Sequence, residues 1–246
     1  MTNLADRITS DPIRAIIYGV TGSAKTTVAG LTAMHPELSP AYFFDWDLRI
    51  ASLRAQIPKE YWPNIEVDSY RDVNIGGEAF ALMQAKVENL DYKKFKTTVV
   101  DSMTFMMMGA MNRVLMLANK PITQAPTLPN YMERQSIVKD LLSRMCAKPT
   151  NLIWTCMEGA AKDEVNGQVY RTFEMDPKLI PIIPGFFNEV WHTEVQHLTN
   201  QEPQFVIRTR SDGVYAARTT YKSLLSVEPQ ATIWQKIIAE KFPKTT

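Results

Sequence analysis

The chain has 246 residues, a formal net charge of +1 and 45% hydrophobic residues. That length fits one α/β domain with a sizeable core, or two small ones, and the near-zero charge excludes a broadly basic nucleic-acid coat while leaving room for a local basic patch. Two cysteines, Cys146 and Cys156, sit among apolar neighbours, which argues against a disulfide framework and fits a reducing cytoplasm. The polar N-terminus does not read as a secretory signal, and no apolar run approaches the roughly 18 residues needed to span a bilayer.

In chain order, "IRAIIYG" (13–19) reads as a buried strand and "KTTVAGLTAM" (25–34) as the helix after it. "AYFFDWD" (41–47) is a second buried strand, and "NIEVDSY" (64–70) alternates as an edge strand would. Residues 76–90 have helical spacing, with Phe80, Met83, Val87 and Leu90 on one face. "FKTTVVDS" (95–102) is a strand, 103–119 an apolar, buried helix, 120–130 a three-proline loop and 131–148 an amphipathic helix. "TNLIWTCME" (150–158) is a further strand. Asn166-Gly167 then marks a hairpin turn within 162–174, and 176–187 is irregular. Residues 189–198, 204–210 and 213–219 read as antiparallel strands, with Asp212-Gly213 turning between the last two, and 231–242 as a terminal helix. This predicts an α/β fold, mostly a parallel sheet flanked by helices with an antiparallel C-terminal extension. With no visible linker, 1–246 reads as a single domain with an N-terminal arm (1–12) and a C-terminal helix and tail (231–246).

The stretch "GVTGSAKTT" (19–27) follows a strand and opens a helix, the context in which a phosphate loop works. Gly19, Val20, Thr21, Gly22, Ser23 and Ala24 would line the loop. Lys25 would reach the β- and γ-phosphates, the Thr26 hydroxyl would bind Mg²⁺, and Thr27 could reach the α-phosphate. The pattern expects glycine where Ala24 stands. A negative φ there makes the methyl group cheap, whereas a positive φ costs about 1 kcal/mol. "TTVVDS" supplies a carboxylate, Asp101, at a strand end to hold the Mg²⁺ shell, although Asp101 or Ser102 also suits a helix cap. "YFFDWD" offers Asp45 and Asp47 to orient an attacking water; strand alternation would point both to one side, with Trp46 opposite.

These three segments resemble the RecA-like P-loop ATPases, and more closely the core-only bacteriophage nucleotide-binding proteins of single-strand annealing and recombination. "PGFFNEVW" (184–191) and "GVYAART" (213–219) add to the likeness. The resemblance implies an ATP- and Mg²⁺-dependent ATPase acting on single-stranded DNA in annealing or strand exchange, in the host bacterial cytoplasm if phage-encoded. It further implies assembly into rings or filaments, with a single-strand-binding protein as a possible partner. It puts Asp47 in the place of the water-activating glutamate, one methylene shorter. Glu158 stands as γ-phosphate sensor, in a strand end lacking the family's His-Glu pair, and Arg218 at a late basic position that reaches a neighbour's γ-phosphate.

For DNA, the 158–185 region offers Lys162, Arg171 and Lys178 as charges and Tyr170 and Phe173 as stacking rings, offset by nearby acids. Arg208 and Arg210 share a strand face, and His35, His192 and His197 lack metal-ligand spacing, so no zinc is expected. Two rival readings remain. One is a nucleotide-binding module that hydrolyses little and controls assembly, favoured by Ala24 and Asp47. The other is a small-molecule phosphotransferase, for which the 120–130 loop lacks the expected arginines.

Overall fold

The computed structural model describes residues 10–72, 77–163, 167–197, 199 and 201–243. Among these residues nine strands form one sheet: β1 (Arg14–Gly19), β2 (Ala41–Asp45), β3 (Ile65–Ser69), β4 (Thr97–Asp101), β5 (Asn151–Lys162), β6 (Val169–Phe173), β7 (Glu189–Gln196), β8 (Gln204–Arg208) and β9 (Val227–Pro229). Their order is β3-β2-β4-β5-β1-β7-β8-β9, with β6 paired to β5. Pairing from β3 through to β7 is parallel, whereas β5–β6, β7–β8 and β8–β9 are antiparallel. The fold is therefore the α/β class that the sequence predicts, and β3 lies at the edge of the sheet as expected.

The helices are α1 (Lys25–Gly30), α2 (Glu78–Asn89), α3 (Met103–Leu117), α4 (Leu128–Cys146) and α5 (Ile233–Lys241). Strand alternation divides the core between the two sheet faces. Phe44, Val100 and Trp154 face α2, α3 and α4 through Phe80, Met103 and Leu141. Their neighbours Phe43, Val99 and Ile153 face α1 and α5 through Val28 and Ile233. Trp234 Nε1 donates to the Val28 carbonyl at 2.7 Å, which ties the last helix to the first.

Several boundaries differ from expectation. The helix expected over 25–34 is α-helical only to Gly30 and continues as a 3-10 turn, Leu31–Met34. β2 stops at Asp45, so Asp47 lies beyond the strand and alternation does not govern it. The 120–130 loop ends early, because Pro129 suits the first turn of a helix and Thr127 caps α4, its N–H donating to Asn130 Oδ1 at 3.0 Å. α3 is not buried all round: Phe105, Met108 and Leu117 are exposed. β5 runs four residues past Glu158, carried on by its pairing with β6. In that hairpin Gly167 has a φ of 74°, while Asn166 lies outside the described residues. β7 is antiparallel only to β8; toward β1 it is parallel.

Residues 213–219 form no strand. The Asp212 carboxylate accepts the N–H groups of Val214 and Tyr215, both at 2.9 Å, which curls the chain. What remains are single bridges, Arg171 with Tyr215 and Val190 with Arg218. Residues 227–229, not expected as a strand, pair with β8.

Candidate functional site

The first residues to converge are those of the loop after β1. Gly19 is packed so tightly that a Cβ there would lie 2.4 Å from both the carbonyl oxygen and Oγ1 of Thr193. Ser23 Oγ hydrogen-bonds Thr193 Oγ1 at 2.7 Å and the Val20 carbonyl at 2.8 Å. β7 thus braces the loop from beneath. Gln230 adds a second brace, donating to the Ser23 carbonyl at 2.9 Å. Gly22 has a φ of 85° and Ala24 a φ of 65° with ψ 30°. Ala24 therefore occupies the left-handed region that favours glycine, at a cost of about 1–2 kcal/mol.

Lys25 begins α1, and its Nζ donates to the carbonyls of Gly19 at 2.9 Å and Val20 at 2.8 Å. Burial pulls its pKa below the ordinary lysine value, against the pull of Cys156, Asp101, Asp47 and Glu158. Thr26 Oγ1 donates to Asp101 Oδ2 at 2.8 Å, across 75 positions of sequence. Thr155 Oγ1 holds the other oxygen of Asp101. β5 lies between β1 and β4, so Thr155 is placed to do this from the intervening strand. Burial pushes the Asp101 carboxyl up to about 6, with Asp47 and Asp45 adding to the rise and the two threonine hydroxyls opposing it. A buried carboxylate and a hydroxyl form a hard-oxygen donor pair that fits Mg²⁺, which takes one or two protein oxygens and keeps waters.

Asp45 and Asp47 have different surroundings. Asp45 is buried and accepts the Leu48 N–H at 2.8 Å and the Ser69 hydroxyl at 3.4 Å; the Arg49 N–H also faces it. It shapes a turn in which Leu48 takes a φ of 55°. Asp47 Oδ1 accepts both the N–H of Ser102 at 3.1 Å and its hydroxyl at 2.6 Å. Ser102 thus positions Asp47 and is not merely a cap. Trp46 turns the other way, stacking on Tyr70 with ring centroids 5.5 Å apart.

A cavity of about 370 Å³ opens over these groups, lined by Thr21, Lys25, Thr26, Asp47 and Arg49, with Phe105 at its side. A second, of about 660 Å³, shares Ala24, Thr27, Gln56 and Phe205 with it and is walled by Leu31 and Met34. Arg49, Thr155 and Phe205 were not singled out by sequence. Thr155 has a signal there, as a hydroxyl in an otherwise apolar strand core; the other two carry none.

The remaining expected residues form a separate group. Glu158 Oε2 hydrogen-bonds His192 Nε2 at 2.8 Å, and its other oxygen lies 3.7 Å from Arg171 Nε. The partner of Glu158 thus comes from across the sheet, on β7. His192 also stacks on Tyr215 at 4.1 Å, and burial lowers its pKa despite Glu158. Arg218 is not gathered with the loop: its guanidinium donates to the carbonyls of Pro184 and Phe187, locking the turn before β7. Phe173 is buried, 1% exposed, in the core beside Tyr18, so it offers no face for base stacking. Lys162, Arg171 and Lys178 are exposed and Tyr170 half-buried.

No family model matches the sequence, and no curated protein matches it. Solved structures do. One is the assembled ATPase EscN in complex with its central stalk EscO from the enteropathogenic E. coli type III secretion system, at 13% identity and a TM-score of 0.50, covering 79% of this chain and 46% of that one. Another is a prototypical ATPase from the type III secretion system of pathogenic bacteria, at 14% identity and a TM-score of 0.49, covering 76% and 55%. The chain thus spans about half the length of these structures, and at 13% identity the likeness to EscN concerns the α/β fold alone.

Proposed function

We propose that this chain is a single-domain, Mg²⁺-dependent ATPase whose phosphate site lies between the 19–27 loop and the ends of β2 and β4. The observation that carries this reading is the Thr26–Asp101 hydrogen bond beside Lys25. It joins a loop after one strand to a carboxylate at the end of another, as a nucleotide·metal site requires. Phosphate oxygens are stronger acceptors for an ammonium than the two carbonyls that hold Lys25, so Lys25 moves onto them when nucleotide binds. Mg²⁺ would be held by Thr26 and Asp101 and would offset charge on the β- and γ-phosphates. Thr27 sits where the two cavities join, which leaves the larger one for the nucleoside. Asp47, oriented by Ser102, is the candidate to orient the attacking water.

The finer reading is phage recombination on single-stranded DNA, in a homo-oligomer. It is supported by exposed Lys162, Arg171 and Lys178 on and after the β5–β6 hairpin, and weakened by the burial of Phe173. Among the described residues, no helix is long and apolar enough to cross a membrane. A second reading, a nucleotide-gated module with little turnover, is favoured by the left-handed Ala24 and the short Asp47 side chain.

One experiment tests these readings: nucleotide binding and ATP hydrolysis with and without Mg²⁺ and single-stranded DNA, for wild type and Lys25→Ala. Mg²⁺-dependent turnover lost in the variant is the expected result. Binding without turnover selects the second reading, and failure of wild type to bind ATP overturns both. Turnover indifferent to DNA removes the recombination reading alone.

A further inference from the structure

A triphosphate carries more negative charge than one lysine and one divalent cation neutralise, and the charge moves toward the leaving oxygen and the terminal oxygens during hydrolysis. The cavity over the loop is lined by two cationic side chains, Lys25 and Arg49. Lys25 belongs to the loop itself. Arg49 arrives from elsewhere, four residues past the end of β2, and nothing in its sequence neighbourhood marks it out.

Its placement is built from both sides. N-terminally, the buried Asp45 carboxylate gathers the N–H groups of Leu48 and Arg49, with Leu48 in the left-handed region. C-terminally, Arg49 precedes the 3-10 turn Ile50–Ala55, and its carbonyl accepts the Ser52 N–H at 2.9 Å. That turn packs on α1: Leu53 and the following Ile57 press so closely on Gly30 that an added Cβ would sit 2.7–2.8 Å from their methyl groups. The helix that carries Lys25 and Thr26 is therefore packed against the segment that carries Arg49. Among the described residues, Arg49 makes no ion pair and donates no side-chain hydrogen bond, so its guanidinium head is uncommitted. Arg208 and Arg218, by contrast, are held by Glu194 and Asp212 and by two carbonyls.

We infer that Arg49 is a catalytic residue acting within its own chain, binding the terminal phosphate and stabilising the charge that develops on it. Asp45 is then a positioning residue for Arg49 and not the water-orienting acid. This rests on the ATPase reading above. In the step it assists, the water oxygen bonds to the terminal phosphorus. The bond to the bridging oxygen breaks, its electron pair staying on ADP, and the water's proton leaves to solvent with release of phosphate. A planar guanidinium suits this task, because it presents paired N–H groups to adjacent phosphate oxygens.

The test is binding of ADP·Mg²⁺ with and without tetrafluoroaluminate, a mimic of the transferring phosphoryl group, measured by calorimetry on wild type, Arg49→Ala, Arg49→Lys and Arg54→Ala. Arg54 lies on the same 3-10 turn but does not line the cavity, and serves as the control. For Arg49→Ala, ADP affinity should stay within about threefold of wild type while affinity for the fluoroaluminate complex falls by about 10²-fold or more. Arg49→Lys should recover part of the loss, and Arg54→Ala should match wild type. Equal weakening of both ligands, or of neither, overturns the inference. So does restored turnover on mixing Arg49→Ala with Lys25→Ala, since a residue acting within its own chain cannot complement a neighbour. Wild type that binds no ADP overturns the ATPase reading instead, which keeps the two failures apart.

Discussion

The loop end of β1, β2 and β4 and the antiparallel extension beyond Glu158 both carry charged and polar groups, used in opposite ways. At the loop end, Lys25, Thr26, Asp47 and Arg49 all line one cavity, and the buried carboxylates behind them carry a strain: Asp101 is pushed up to about 6 by burial. In the extension, several charges are consumed internally. Glu158 is shared by His192 and Arg171, Arg208 by Glu194 and Asp212, and Arg218 by two carbonyls. Polar groups that converge on one cavity mark a candidate site, whereas groups paired with one another away from it mark scaffolding. The extension braces the loop, through Thr193 and Gln230, more than it adds chemistry.

The comparison can be broken most directly at Lys25. If the loop end is the reactive region, Lys25→Ala lowers ATP turnover by about 10²-fold or more, read in a steady-state phosphate-release assay. Asp101→Asn comes next. Because the folded pKa of Asp101 is raised to about 6 from 3.8, the folded protein holds a proton that the unfolded chain has lost. Wild-type stability should therefore fall as pH rises from about 4 to past 6, by up to about 3 kcal/mol, and the neutral variant should lack that fall while losing Mg²⁺-dependent nucleotide binding. Urea melts across pH and metal titrations check the two halves; a variant less stable than wild type at pH 8 would show that the buried charge is not a burden.

A smaller effect separates the regions from the other side. Arg218→Ala should cost about 1 kcal/mol in a denaturant melt and leave turnover per folded molecule unchanged, since it removes two hydrogen bonds made by an exposed guanidinium. Lost turnover with unchanged stability would return Arg218 to the role of a finger reaching a neighbour's phosphate. The smallest effect is at Ala24. Relief of a left-handed alanine is worth about 1–2 kcal/mol, and the added freedom of glycine in the unfolded chain takes back about half of it or more. Ala24→Gly should thus stabilise by less than about 1 kcal/mol with nucleotide affinity equal or better; weaker affinity would mean that the methyl group is itself part of the binding surface.

The sequence by itself determined the parallel sheet, its helices, and the local parts of the site. A phosphate-loop pattern is contiguous, so Gly19 to Thr27 stand out by spacing as candidates, and Asp101 by ending an apolar strand. Local pattern could not separate Asp45 from Asp47, because the strand ends between them and alternation lapses there. It also offered Phe173 as a stacking ring, whereas the hairpin's packing turns that side chain inward, and read 213–219 as a strand, where one carboxylate, Asp212, redirects the run. Only the tertiary structure decided that Thr155 and Thr26 share Asp101, that Ser102 orients Asp47, that His192 completes a pair with Glu158, and that Arg49 lines the cavity. Each of these joins residues on different elements, and such contacts are set by strand order and packing, which no single stretch of sequence records.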